Sequence, residues 1–241
     1  MKIKWRSFMA STDRTQLESI VLALEKAERT NLTTIAESRL KDALISGQLK
    51  PGERVNTKAL AEQLGTSVTP IREALLRLVA AGGLEAAPAQ AFMVPVITRR
   101  RYEEITIIRK RIEGLAVERA CATMTKARLA KLRTLVDSYL TARAADKVAL
   151  SLERNRAFRF ALYELADMPV LLSMIEQLWV QIGPCFNYLY PSEHSHDGNP
   201  AHRHNYEDLL DALANKDVKS AVQAIEHAID DGSEILVAKL Q

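Results

Sequence analysis

The sequence predicts a mainly α protein in two parts. A winged helix-turn-helix spans residues 31–98, and an antiparallel all-α helical bundle spans 99–241, behind an N-terminal arm or extra helix over 1–30. Three observations carry this reading. Residues 57–78, TKALAEQLGTSVTPIREALLRL, hold two short amphipathic segments around a Gly-centred break. A compact hairpin pattern follows over 84–96. From Arg99 onward the periodicity is helical only, in long segments separated by polar or Pro-containing breaks.

The N-terminal elements follow in order. Leu17, Ile20, Val21 and Leu24 recur at helical spacing, so residues 15–29 read as an extra helix or ordered arm. Thr33 to Ser46 is the next helix, with Ile35, Leu40, Ala43 and Leu44 on its buried face and Gly47 as its stop. Pro51-Gly52 makes a turn, and Arg54-Val55 a short strand entering the helix-turn-helix. The first short helix places Leu60, Ala61 and Leu64 on one face, and Gly65-Thr66-Ser67 is the break. The second is expected to start at a Thr69 cap with Pro70 in its first position, burying Ile71, Ala74, Leu75 and Leu78. Gly82-Gly83 ends it. Leu84–Ala87 and Phe92–Val96 then pair as a wing across Pro88-Ala89-Gln90. The second helix of such a unit can enter a DNA major groove, which names double-stranded DNA as a partner.

In the second half the periodicity predicts helices over about 101–121, 126–144, 147–166, 169–189, 201–215 and 217–239. Breaks fall at Thr125, Asp146, Met168-Pro169, 191–200 and 215–217. Helices without strands must cover one another's apolar faces, hence the bundle.

Composition agrees with a globular protein: 47% hydrophobic and 26% charged residues. Net charge is only +3, but the positive excess lies before residue 101, with the helix-turn-helix, as phosphate attraction requires. Cys121 and Cys185 lie far apart in apolar helical contexts, which excludes a zinc-type spacing and points to core packing. No apolar run is long enough to span a membrane, and Lys2, Lys4 and Arg6 precede no apolar signal-peptide core, so a cytoplasmic protein is expected.

The run Ala59-Leu60-Ala61-Glu62-Gln63-Leu64-Gly65, then Ser67-Val68-Thr69-Pro70-Ile71-Arg72-Glu73-Ala74-Leu75, Arg77-Leu78 and Gly83-Leu84 resembles the GntR family of bacterial transcription regulators. The helical half resembles the FCD effector domain of its FadR-like branch. The resembling segments are Arg109-Lys110-Arg111-Ile112-Glu113-Gly114-Leu115-Ala116, and Leu209–Leu213 followed by Asp217 and Ala221. The resemblance covers about 31–239. It implies a homodimeric, ligand-responsive repressor or activator whose bundle senses a small molecule, often an organic acid, and repositions two DNA-binding heads.

Arg72, on the first turn of the second helix, is the leading DNA contact, since a guanidinium there can pair a guanine edge or clamp a phosphate. Ser67 and Thr69 put hydroxyls at a helix N-terminus that itself favours phosphate, or simply cap the helix. Lys58 can reach the backbone; Arg77 is either a further contact or a solvated face. Val68 stands where the family usually has arginine, and Gln90-Ala91 where it usually has a glycine wing tip. Both residues enter the candidate DNA surface, and both alter the expected operator.

Many FCD domains bind a divalent metal through an Asp, a His four residues later and two further His. The resemblance places those positions at Asn155, Arg159, Tyr206 and Ala228. A guanidinium repels a cation, so no metal and no cofactor are expected, although His227 adjoins Ala228 by one residue. Arg109, Asn155, Arg159 and Tyr206 then read as a pocket for a small anionic effector, a carboxylate matching the guanidinium fork. The plainer alternative pairs Arg109 with Glu113 one turn on. His194, His196, His202 and His204, with Asp197, form either a metal-binding loop or a solvated polar one.

Two other functions compete. An enzyme would need converging acids, a nucleophile with a base, or metal ligands, and no such spacing occurs. A constitutive DNA-binding dimer would use the bundle for assembly alone.

Overall fold

The computed structural model describes residues 31–88, 91–189 and 200–240, the side chains of 200–204 excepted. The expected arm over 1–30, the wing-tip Gln90, and His194, His196 and Asp197 lie outside the described residues, as do the side chains of His202 and His204.

Helix α1 covers 31–45 and buries Ala36, Leu40 and Leu44. Gly47 ends it with φ +70°, a left-handed turn that suits glycine. Strand β1 (Arg54–Val55) leads into α2 (Thr57–Gln63), which is capped by Asn56: its side-chain oxygen accepts from the backbone N–H of Lys58 and Ala59, both at 3.1 Å. Gly65, with φ +60°, turns the chain into α3 (Val68–Ala80). This helix begins earlier than the Thr69-Pro70 pair suggests. Ser67 is its N-cap residue, and Pro70 sits in the third helical position. Proline is tolerated there because the first-turn N–H groups have no partner within the helix.

Strands β2 (Glu85–Ala87) and β3 (Ala91–Met93) form the wing, and β3 also pairs with β1. The sheet is antiparallel in the order β1-β3-β2, with Phe92 opposite both Val55 and Ala86. The wing is therefore anchored by the strand that precedes α2.

Helices α4 (Arg99–Ala122), α5 (Lys126–Ala144), α6 (Val148–Glu164), α7 (Pro169–Ile182), α8 (Pro200–Asn215) and α9 (Val218–Val237) build the bundle. Thr98, Thr125 and Asp217 cap α4, α5 and α9. The main packing pairs are α4 with α9, α5 with α6, and α8 with α9. The stretch expected as one helix over 169–189 divides: after Ile182 the chain tightens into a 3-10 helix, Gly183–Leu189. Pro184 supplies no N–H to continue the α ladder, and Gly183 allows a close approach described next.

Head and bundle share one hydrophobic core. The connection around Ile97 is packed, with Val94 and Ile97 buried. Two glycines set the approach. A Cβ on Gly183 would lie 2.3 Å from the Leu44 carbonyl oxygen, and one on Gly83 would lie 2.2 Å from a Val180 methyl. Cys121 and Cys185 are free and buried, and burial raises the Cys185 thiol to about 12. Among the described residues no helix is long and apolar enough to cross a membrane.

Candidate functional site

The leading turn of α3 projects from the head. Its buried face, Pro70, Ile71, Ala74, Leu75 and Leu78, fixes the helix against the core. Ser67, Val68, Thr69 and Arg72 are exposed at and just behind its N-terminal end, and Lys58 is exposed on α2. Ser67 makes no side-chain capping bond, so its hydroxyl is not committed to its own helix. Two side chains further along α3 tie it to α1. Arg77 donates to Glu37 of α1 at 2.8 Å, and Thr33 donates to Glu73 at 3.2 Å. Arg77 thus braces α3 on α1, while the leading turn carries the outward-facing polar groups.

The second feature is a small cavity inside the bundle, about 70 Å³. Arg109 reaches it from α4, Arg143 and Tyr139 from α5, Asn155 and Arg159 from α6, Trp179 from α7 and Tyr206 from α8. Phe186 of the 3-10 helix closes one wall. All four residues expected at a pocket, Arg109, Asn155, Arg159 and Tyr206, line this cavity.

Behind them sits Glu113, fully buried. Arg109 grips it with two bonds, Nε to Oε1 at 2.6 Å and Nη2 to Oε2 at 3.3 Å. Trp179 donates to Oε1 at 2.9 Å, Tyr163 donates to Oε2, and Arg159 lies 3.8 Å from Oε2. Burial pushes the Glu113 carboxyl upward, but Arg109 and then Arg159 outweigh that and hold it below its ordinary value. Arg159 also donates to the hydroxyls of Tyr206 (3.1 Å) and Tyr163 (3.2 Å), and Tyr206 donates to Asn155. The Arg109 guanidinium stacks over Trp179, 5.1 Å from the ring centre, and that of Arg159 over Tyr206 at 5.4 Å.

The two alternatives for Arg109 are therefore not exclusive: it pairs with Glu113 and lines the cavity. The expectation that two bare guanidiniums await a ligand is corrected, since Glu113 answers one of them. Among the described residues a positive excess still remains, from Arg109 and Arg159 against the Glu113 carboxylate, with Arg143 at the rim donating to the Tyr139 hydroxyl at 3.2 Å. Composition and spacing did not single out Tyr163, Trp179, Phe186 or Arg143. Tyr163 stands one helical turn from Arg159, which was a usable signal; Trp179 and Phe186 gave none beyond being aromatic.

These residues do not fit a divalent metal. An amide, a phenol and a buried guanidinium replace the carboxylate and imidazoles that a metal requires. His227 is no substitute, because it lines a separate cleft between α8 and α9 with Asp208 and Asp211, whereas Ala228 faces the cavity.

Residues 32–94 match the family described as bacterial regulatory proteins, gntR family, and residues 104–231 match the FCD domain. The HTH-type transcriptional regulator McbR of Escherichia coli is 42% identical over 215 residues, 88% of this chain and 95% of that protein. The chain belongs to the GntR family. It is a transcription regulator with a winged helix-turn-helix DNA-binding half and an FCD effector-binding half. The solved structure of E. coli McbR/YncC superposes with a TM-score of 0.81, covering 86% of this chain and 98% of that one. A putative transcriptional regulator GntR from Rhodococcus sp. RHA1, at 21% identity and TM-score 0.70, shares the fold. The Nta operon transcriptional regulator of Aminobacter aminovorans is 31% identical over 136 residues, 56% of this chain.

Proposed function

We propose that this regulator works as a homodimer, that the leading turn of α3 reads each DNA half-site, and that the FCD cavity takes a small organic carboxylate without a metal. The observation that carries the effector class is the charge inside the cavity. Among the described residues three guanidiniums line it and a single carboxylate, Glu113, sits behind two of them. A buried positive excess favours an anion, and a carboxylate matches the guanidinium fork. Aromatic walls from Tyr102, Tyr139, Trp179 and Phe186 favour an apolar body on that carboxylate.

Ser67, Thr69, Arg72 and Lys58 are the DNA contacts this reading assigns, with Gln90 at the wing tip. Dimerisation is supported by two adjacent helix faces. Helix α4 exposes Ile107, Ile108 and Leu115, and α7 exposes Val170 and Met174. A second copy covering these faces would present two heads to two half-sites.

A signal path is supported by neighbouring residues on the 3-10 helix. Phe186 lines the cavity, and Asn187 donates to the Gly47 carbonyl of the head at 2.6 Å. A ligand that displaces Phe186 moves the group holding α1.

The test is a thermal-shift screen of small carboxylates on the full-length protein, with elemental analysis of the same preparation. Binding to the folded state alone raises stability by about 2.7 kcal/mol at a hundredfold excess over Kd. Arg143→Ala is the informative variant, because Arg143 is half-buried and stands outside the Glu113 cluster. The expected result is a rise in melting temperature that Arg143→Ala abolishes while DNA binding persists. Stoichiometric metal, or a rise indifferent to Arg143, would refute the effector assignment. No carboxylate response at all would leave the regulator a constitutive binder.

A further inference from the structure

We propose that Val68 is a specificity-determining residue that reads the C5-methyl group of a thymine in the operator. The proposal rests on α3 being the recognition helix, and it concerns which base that helix selects.

Val68 is the first residue of α3 and is 43% exposed. That exposure comes from its place at the N-terminal end of the helix, ahead of Pro70 and Ile71, which are buried and hold the helix against the core. Arg72 lies one turn further on the same face and is also exposed. Ser67 and Thr69 flank Val68 with hydroxyls. The leading turn thus presents a methyl-bearing surface between groups suited to phosphate and base edges. Leu76 is also exposed, but it lies about 12 Å further along the axis, away from the leading turn.

The chemistry then narrows the partner. Residues at the N-terminus of a recognition helix meet base edges in the major groove. An isopropyl group neither donates nor accepts a hydrogen bond. Placed over a guanine, adenine or cytosine edge it would strip water from donors and acceptors without replacing it. The one major-groove feature it complements is the thymine methyl. Valine suits this because its β-branch holds one rotamer in a helix, so the methyls are fixed before DNA arrives. Arg72, one turn on, is placed for a guanine or phosphate near that thymine.

The shared chemistry is a C5-methyl pyrimidine, which in modified DNA includes 5-methylcytosine. Duplexes bound by the full-length protein are first selected from a random pool, and each thymine of the selected site is replaced singly by deoxyuridine. Loss of one contacted methyl is expected to weaken binding roughly threefold to tenfold, the scale of one buried methyl group. That sensitivity should fall at one position per half-site and vanish in Val68→Ala, whose fold is checked by melting temperature. A duplex with 5-methylcytosine·guanine at that position is the second arm. Tighter binding to thymine·adenine assigns the contact to thymine, and the reverse order overturns it in favour of methylated DNA. The proposal also falls if no thymine is sensitive, or if Val68→Ala keeps the sensitivity. Arg72→Ala separates this from the parent reading: unchanged affinity removes α3 as the recognition helix altogether. A collapse of affinity in that variant, with no thymine sensitive, removes only Val68.

Discussion

The head and the bundle handle their functional side chains in opposite ways. On α3 they point into solvent, and the buried face behind them does no more than hold the helix. Around the bundle cavity they are buried and bonded to one another: Arg109, Glu113, Arg159, Tyr163, Trp179 and Tyr206 form one network. An exposed surface proposed to meet DNA can exchange whatever bonds it makes for those of a partner that arrives later. A cavity in low-dielectric surroundings must satisfy its charges before any ligand comes. The same residue type therefore carries different work. Removing exposed Arg72 should cost the fold less than removing a buried partner of Arg109.

The largest expected effect breaks the network at its centre. Glu113→Gln leaves Arg109 and Arg159 buried without their counter-charge, and removing one partner of a buried pair costs about 3–5 kcal/mol. Urea denaturation at neutral pH measures this. The pH dependence has a definite sign. Glu113 is held below its ordinary value in the folded protein, so its contribution is full above the unfolded value of 4.5. It is lost as pH falls through the lower folded value. The stability gap between wild type and Glu113→Gln should therefore persist from neutral pH down through that unfolded value and close only in stronger acid. A gap that closes near neutrality would contradict the ion-pair account.

Gly183→Ala tests the joint between the two regions. The new methyl would meet the backbone of Leu44 and Ile45, which is no flexible side-chain end. Overpacking of this kind costs about 1–3 kcal/mol. It should also loosen the head on the bundle, seen as faster amide exchange at the end of α1. Wild-type stability in this variant would mean that the joint yields freely.

Arg72→Ala is the counterpart in the head. It should weaken operator binding by about 1–3 kcal/mol, measured by fluorescence anisotropy, with far less change in melting temperature. Affinity in wild type should fall steeply with salt, as phosphate contacts require. Equal losses of stability and binding would erase the contrast between the two regions.

That contrast also explains what could be read from the sequence. The head is spelled locally: Gly65, the apolar face of α3 and the Gly82-Gly83 stop lie within one short stretch, and the wing follows at once. Even there, Pro70 misplaced the start of α3, because proline is tolerated anywhere in the first turn and marks no single position. The pattern around α2 does not single out its cap, because Asn56 and Thr57 beside it offer the same capping chemistry. The cavity is assembled from α4 through α9, and its long-range partners leave no periodic trace. Resemblance to FCD domains points to four of its lining residues and not to the partners that neutralise and orient them, Glu113 aside. The 3-10 helix was hidden inside an apolar run whose helical period continues past Gly183-Pro184.

The smallest expected effect concerns that 3-10 helix. Asn187 donates one amide to both the Gly47 and Pro184 carbonyls, at 2.6 and 3.0 Å. Asn187→Ala removes those bonds from a half-buried side chain, a loss of about 0.5–1.5 kcal/mol in stability. Its interest lies in the response to ligand. Phe186 and Asn187 are neighbours, one in the cavity and one on the head, so cutting the second should disconnect the two regions without altering either. Carboxylate binding, followed by thermal shift, should survive in Asn187→Ala. Operator binding in the absence of ligand should survive as well. What should shrink is the change in operator affinity that ligand produces, because coupling between two sites needs a contact that both can move. If ligand shifts operator affinity equally in wild type and Asn187→Ala, the signal leaves the cavity by another route. The long α4, which runs from the head junction at Thr98 to Arg109 and Glu113, is then the element to test.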